Sequence, residues 1–121
     1  MTILPNAEVT RVSLDGGFPM PHWFDLYVLT ENTRDDVAGI MKAMERVHRI
    51  IDDAIDAINQ SVPPERIILG DFSKGGALAL TAGLTSNKKV VGIIALTTRL
   101  PMSPHYPQKL SVHAREFPII T

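Results

Sequence analysis

RIILGDFSKGGALALTAGL, residues Arg66 to Leu84, is the stretch whose reading decides the fold. A short apolar run, Ile67 to Leu69, meets Gly70, passes Asp71, Phe72, Ser73 and Lys74, and reaches Gly75 and Gly76 before the small apolar residues Ala77 to Ala82. The order is strand, sharp turn, helix, with one serine at the apex. Such a turn presents a hydroxyl at the carboxyl end of a buried strand and over the amino end of a helix, where free backbone N–H groups stabilise negative charge. The elbow asks for glycine two residues before and two after the serine, because neighbouring backbones approach closely. Gly75 meets that requirement; Asp71 does not.

Downstream, Val90 to Leu96 is a continuous apolar run, as in a parallel strand buried on both faces. Thr97 to Pro101 leaves the sheet at its carboxyl end, residues 102–116 read as loop, and Phe117 to Ile120 begins another strand. Upstream, from Asp35, the pattern takes the helical period. Val37, Ile40, Met41, Met44, Val47, Ile51, Ala54, Ile55 and Ile58 form one stripe, opposite charged residues that include Lys42, Arg46, Arg49, Asp52, Asp53 and Asp56. This predicts a long amphipathic helix of about six turns, with Thr33 as its cap and Pro63 and Pro64 blocking its continuation. Met41 and Met44 read as core, the three aspartates as a solvated face, and His48 as structural.

Nearer the amino terminus, Ile3 and Leu4 read as the end of a strand, cut off by Pro5. Glu8 to Leu14 alternates like a short edge strand closed by Asp15, Gly16 and Gly17. Pro19 and Pro21 predict an irregular path into Trp23 and Phe24, which read as loop packing against the sheet rather than a pocket wall. Strand and helix alternation implies right-handed crossovers and a parallel sheet, with functional groups gathering at the carboxyl ends of the strands, where Ser73 and Thr97 to Leu100 fall.

The 121 residues, 45% hydrophobic, suit one compact domain or part of one. The net charge of -1 recommends neither nucleic acid nor an anionic membrane as partner. The charges are nonetheless uneven: residues 1–73 hold six Lys or Arg against twelve Asp or Glu, whereas residues 74–121 hold six against one, Glu116. The absence of cysteine excludes disulfides and thiolate metal sites and suits a reducing compartment. No apolar run approaches a membrane span of roughly 20 residues, and no leader pattern opens the chain, so the expected location is cytoplasmic, without stable membrane insertion.

Together these residues resemble the acyl-protein thioesterases and related small carboxylesterases, which are α/β-hydrolases. The likeness covers nearly the whole chain. It rests on Pro5, Asn6, Ala7; on Met20, Pro21, Trp23, Phe24, Asp25; on Arg66 through Gly70 with Phe72, Ser73, Gly75, Gly76, Ala77, Leu78; and on Ala95, Leu96, Leu100, Pro101. It implies an α/β architecture, a partial α/β-hydrolase fold with a parallel sheet and flanking helices, as a single incomplete domain over residues 1–121. The activity implied is cleavage of long acyl thioesters on protein cysteines and of simple carboxylic esters, without cofactor or metal. By that likeness Ser73 is the catalytic nucleophile and the backbone N–H of Lys74 an oxyanion donor, while a histidine acts as base and an acid orients it.

Three departures accompany the likeness. Asp71 stands where the family has glycine, and its charge opposes a developing oxyanion. The family's glycine-containing upstream loop, which supplies the other oxyanion donor, is expected to lie before Met1. The family's triad runs serine, acid, histidine, yet after Ser73 the only acid is Glu116, and both later histidines, His105 and His113, precede it. The expectation is therefore a truncated family member, impaired or inactive, with acylated proteins or small acyl esters as substrates and open sheet edges available for self-association. The alternative is a non-catalytic protein that binds an acyl group or a protein partner. A phosphate-cradling loop fits poorly, because Lys74 follows the serine rather than closing a glycine-rich loop.

Overall fold

The structure, a computed structural model, describes residues 2–28, 34–57, 63–102, 108–116 and 118–121. Strand β3, Ile68–Phe72, passes directly into helix α2, Ser73–Thr85. The strand is longer than its apolar run suggests and the turn correspondingly tighter. Gly76 through Leu84 are all buried, so α2 is a core helix enclosed on every side, consistent with its small residues and lack of a polar stripe.

After α2 the chain returns as β4, Gly92–Leu96, parallel to β3 with Ile68 opposite Gly92 and Phe72 opposite Leu96. A short strand β5, Ile119–Ile120, adds parallel to β4 and gives the order β3-β4-β5. Phe117, expected to open this strand, lies outside the described residues. Helix α1, Val37–Asp56, packs beside α2 on the same face of the sheet. Ile40, Ala43 and Met44 meet Ala77, Leu78 and Ala82 of α2, while Ile51 joins Leu80, Leu84, Ile93 and Ala95 in the layer against the sheet. Val37 is exposed, because the first turn of α1 extends beyond this contact. On the opposite face Ile68, Phe72, Leu96 and Ile120 are exposed, and the outer edge of β3 carries no strand among the described residues.

The helix cap is Asp36. Its carboxylate accepts from the Gly39 N–H at 3.0 Å, the usual capping arrangement. Thr33, the expected cap, and Ile58, the expected end of the stripe, lie outside the described residues. His48 is structural as expected: its Nε2 lies 2.9 Å from the Ala82 carbonyl of α2.

Two expectations near the amino terminus are corrected. Ile3 and Leu4 belong to no strand; Leu4 is 85% exposed and has no ladder to join. The prolines do not force an irregular path either. Phe18–Pro21 forms strand β2, antiparallel to β1, Val9–Val12, with Gly16 and Gly17 at φ of 65° and 83° in the turn between them. The His22 N–H donates to the Glu8 carbonyl, so by alternation Met20 and Phe18 occupy the hydrogen-bonded positions. Pro19 and Pro21 fall between them and face away from β1, where an edge strand tolerates a missing donor.

Candidate functional site

Phe72 and Leu96 are paired at the carboxyl ends of β3 and β4, and the residues that follow them, Ser73 and Thr97, both leave the sheet with positive φ, 52° and 49°. Left-handed backbone at a non-glycine residue costs of order 1–3 kcal/mol and persists only where its surroundings impose it. Here the tight passage from strand to helix imposes it. Ser73 is exposed as the first residue of α2, so its hydroxyl stands over the helix amino end, where the first-turn N–H groups lack intrahelical acceptors.

The two glycines after the serine are required by space. A Cβ on Gly76 would lie 3.1 Å from the Asp71 carbonyl oxygen, 3.2 Å from Thr98 Cγ2 and 3.3 Å from the Leu96 carbonyl oxygen, so Gly76 lets α2 sit close on the ends of both strands. A Cβ on Gly75 would overlap the Asp71 carboxylate. That carboxylate therefore lies flat against the first turn of α2, with Oδ1 accepting from the Phe72 N–H at 2.7 Å. Asp71 has no positive φ; the backbone strain of the elbow sits at Ser73.

Lys74 follows the serine and turns its side chain onto Phe24, with Nζ 5.7 Å from the ring centroid. Burial lowers its pKa, opposed by the charges of Asp25, Asp15 and Asp36. Phe24 is buried with Ile40, Met44, Leu78 and Met102, and Trp23 packs against that cluster, so the aromatic pair packs between the two helices. Both also line a pocket beside the β1–β2 hairpin.

Three carboxylates hold the frame around the elbow. Asp25 accepts from the Ser13 hydroxyl, from the Ser13 N–H at 2.9 Å and from the Leu26 N–H at 2.9 Å. Asp36 Oδ2 accepts from the Asp25 N–H at 2.8 Å, tying the segment after Trp23 to the start of α1. Asp35 pairs with Arg99 at 2.5 Å and accepts from the Met102 N–H at 2.7 Å, which fixes the loop beyond β4. None of these ties is visible in the sequence, where Asp35 and Arg99 stand far apart.

Burial pushes the Asp25 carboxyl up, but its hydrogen bonds from Ser13 and Leu26 outweigh this and leave its pKa below the ordinary value. A depressed folded-state pKa contributes stability that is present above the ordinary carboxylate value and is lost as pH falls through the folded value. Asp25→Asn is expected to flatten this acid limb when urea midpoints are compared between pH 6 and pH 2.5, and an unchanged slope would contradict the assignment.

The described histidines do not converge on Ser73. His22 interacts with Thr10 and the Met20 carbonyl, and His48 with α2 at Ala82. His113 pairs with Glu116 at 3.3 Å, and Glu116 also meets Lys89 at 3.1 Å. This cluster lies at the far end of α2, because the Ser111 N–H donates to the Leu84 carbonyl. Eleven residues of helix put that carbonyl about 16 Å along the axis from Ser73. His113 is thereby removed as a base for this serine, and His105 lies outside the described residues.

A cleft of about 870 Å³ opens on the other side of the elbow. It runs between Thr2–Pro5 and the free edge of β3, over Val47, Ile50, Ile51 and Ala54 of α1, and reaches Asp71 and Gly75.

A strand-to-helix elbow with a strained serine, a glycine after it and a parallel sheet behind it agrees with what the comparisons find. The sequence model of the Phospholipase/Carboxylesterase family matches residues 1–121. The chain belongs to this family. Within it, the chain is 37% identical over 120 residues to an acyl-protein thioesterase 1 of Cryptococcus neoformans, covering 97% of this chain and 49% of that protein. The acyl-protein thioesterase 1 of Schizosaccharomyces pombe is 36% identical over 118 residues, covering 98% and 51%. The chain thus spans about half the length of the curated relatives it matches. Among solved structures, Arabidopsis thaliana SOBER1 superposes with a TM-score of 0.88 at 27% identity, covering 97% of this chain and 55% of that one. Zea mays acyl-protein thioesterase 2 gives a TM-score of 0.71 at 25% identity, covering 91% and 50%. The sheet and its two helices are therefore part of an α/β-hydrolase-type fold.

Proposed function

We propose that this member of the Phospholipase/Carboxylesterase family is an acyl-protein-thioesterase-like serine hydrolase, in which Ser73 attacks the acyl carbonyl of a thioester on a protein cysteine or of a simple carboxylic ester. The observation that carries this reading is Ser73 at φ 52° on the amino end of α2. The backbone N–H of Lys74 is the proposed oxyanion donor; since the donor is main chain, the lysine side chain over Phe24 leaves it in place. Attack would join Ser73 Oγ to the acyl carbon and expel the thiol or alcohol, and water would then release the acid.

No described histidine is hydrogen bonded to Ser73, so catalysis by this chain is proposed to be impaired. A cytoplasmic location is part of the same proposal, supported by the absence of cysteine, which suits a reducing compartment; no helix among the described residues is long and apolar enough to cross a membrane. So is association of copies through the free edge of β3 beside its exposed apolar face.

The test is a fluorophosphonate serine-hydrolase probe on the folded protein. Slow labelling that disappears in Ser73→Ala supports the nucleophile. A folded sample that takes no label leaves the binding reading, an acyl group or protein partner held without turnover, for which the 870 Å³ cleft beside Gly75 is the available space.

A further inference from the structure

A second pocket, of about 290 Å³, lies between the β1–β2 hairpin and the outward face of α1. That volume is close to the lower end for small-molecule sites. Its charged lining is uneven in what it leaves available. Three carboxylates reach it, and each is engaged. Asp25 and Asp36 are held by the hydrogen bonds described above, and Glu8 is paired with Lys42 at 2.7 Å.

The cations are less committed. Arg46 lies over the Trp23 ring, 5.5 Å from its centroid, and Arg11 donates to the Gly17 carbonyl at 3.2 Å, a neutral acceptor. Arg49 makes no ion pair among the described residues. Lys42, Arg46 and Arg49 follow one another at i, i+4 and i+7 on α1, so their side chains share a face, and all three act on the Glu8 carboxylate, whose pKa they lower. The lining carries four cations, Arg11, Lys42, Arg46 and Arg49, against three carboxylates, so one positive charge is in excess. It falls on the helix face, where Glu8 alone stands among Lys42, Arg46 and Arg49 while Asp25 and Asp36 are turned to backbone and hydroxyl donors.

We propose that this pocket binds the phosphoryl group of a small phosphomonoester, with Arg46 and Arg49 as its principal ligands and Trp23 as its wall. A tetrahedral dianion supplies several acceptor oxygens, enough for two planar guanidinium forks and the lysine at once, which a single further carboxylate does not. The site is separate from the elbow and does not depend on the Ser73 reading.

Trp23 is the only tryptophan of the chain and therefore reports directly on occupancy. Its emission is to be followed during titration with phenyl phosphate at constant ionic strength, with phenol and sodium chloride as controls. A saturable change with phenyl phosphate alone is expected, unchanged in Ser73→Ala. Arg46→Gln and Arg49→Gln are each expected to raise the half-saturation concentration by about tenfold, the value of one charge-assisted hydrogen bond. Arg49→Gln leaves the Arg46–Trp23 stack intact and so separates loss of a ligand from disturbance of the reporter. Absence of saturation, an equal response to sodium chloride, or unchanged half-saturation in Arg49→Gln would overturn the assignment.

Discussion

Gly75→Ala is expected to destabilise the wild-type chain by about 1 kcal/mol and to stabilise an Asp71→Gly chain by up to about 1 kcal/mol. The sign changes because two effects compete at one carbon. Alanine is the better helix former, and Gly75 lies within α2, so in open space the substitution favours the fold. In the wild-type chain the new methyl would overlap the Asp71 carboxylate and come within 2.9 Å of Asp71 Cβ. The carboxylate must then swing away and give up the Phe72 N–H. Removing the Asp71 side chain removes the obstacle. The coupling between the two sites, about 2 kcal/mol, lies within the range for residues in contact. Urea midpoints of the wild type, both single variants and the double variant measure it, and strict additivity would show that the carboxylate does not occupy this position.

The same geometry bears on the chemistry proposed for Ser73. A carboxylate on the first turn of α2 is favourable for the helix, since it faces the positive end of the dipole. It also opposes an oxyanion forming nearby, and Asp71→Gly is accordingly expected to speed fluorophosphonate labelling of Ser73. Stability and reactivity thus pull in opposite directions at residue 71.

The elbow was legible because each requirement there is local: an apolar run, a serine, a glycine two residues on and small residues beyond. The stripe of α1 and the apolar run of β4 were legible for the same reason, each being a pattern within one element. The burial of β4 on both faces that the run suggests does not hold, however, since Leu96 on the face away from the helices is exposed. Contacts between elements were not. Strand β2 was hidden because Pro19 and Pro21 argue against a strand, and only the register with β1 shows that they take the positions needing no donor. Asp36 was passed over as a cap because the sequence does not say which of several neighbouring cap-forming residues meets the helix. Asp35 could not be assigned to Arg99 and Met102, because that pairing depends on where the loop after β4 returns. In the site, the position of Ser73 was readable and that of a base was not. The order of residues already spoke against His113, which precedes the one downstream acid, and its place at the far end of α2 speaks against it independently.

Ile93→Ala is expected to cost about 2–5 kcal/mol, the range for truncating a buried isoleucine to alanine. Ile93 is 1% exposed on the central strand β4 and packs with Ile51 of α1 and Ala79, Leu80 and Leu84 of α2. It therefore joins both helices to the sheet. Its side chain fills the notch left by the missing Cβ of Gly83, where a methyl would overlap Ile93 Cδ1 and lie 2.9 Å from Cγ1. Gly83→Ala alone is thus destabilising despite its better helix propensity, because Ile93 has no exposed side into which to move. In the Ile93→Ala background that methyl enters vacated space, and Gly83→Ala recovers part of the loss by reducing the cavity and favouring α2. Urea unfolding followed by far-ultraviolet circular dichroism distinguishes the outcomes. If Gly83→Ala deepens the loss in the Ile93→Ala chain, the notch is not where Ile93 packs, and the helix is held on the sheet by other contacts.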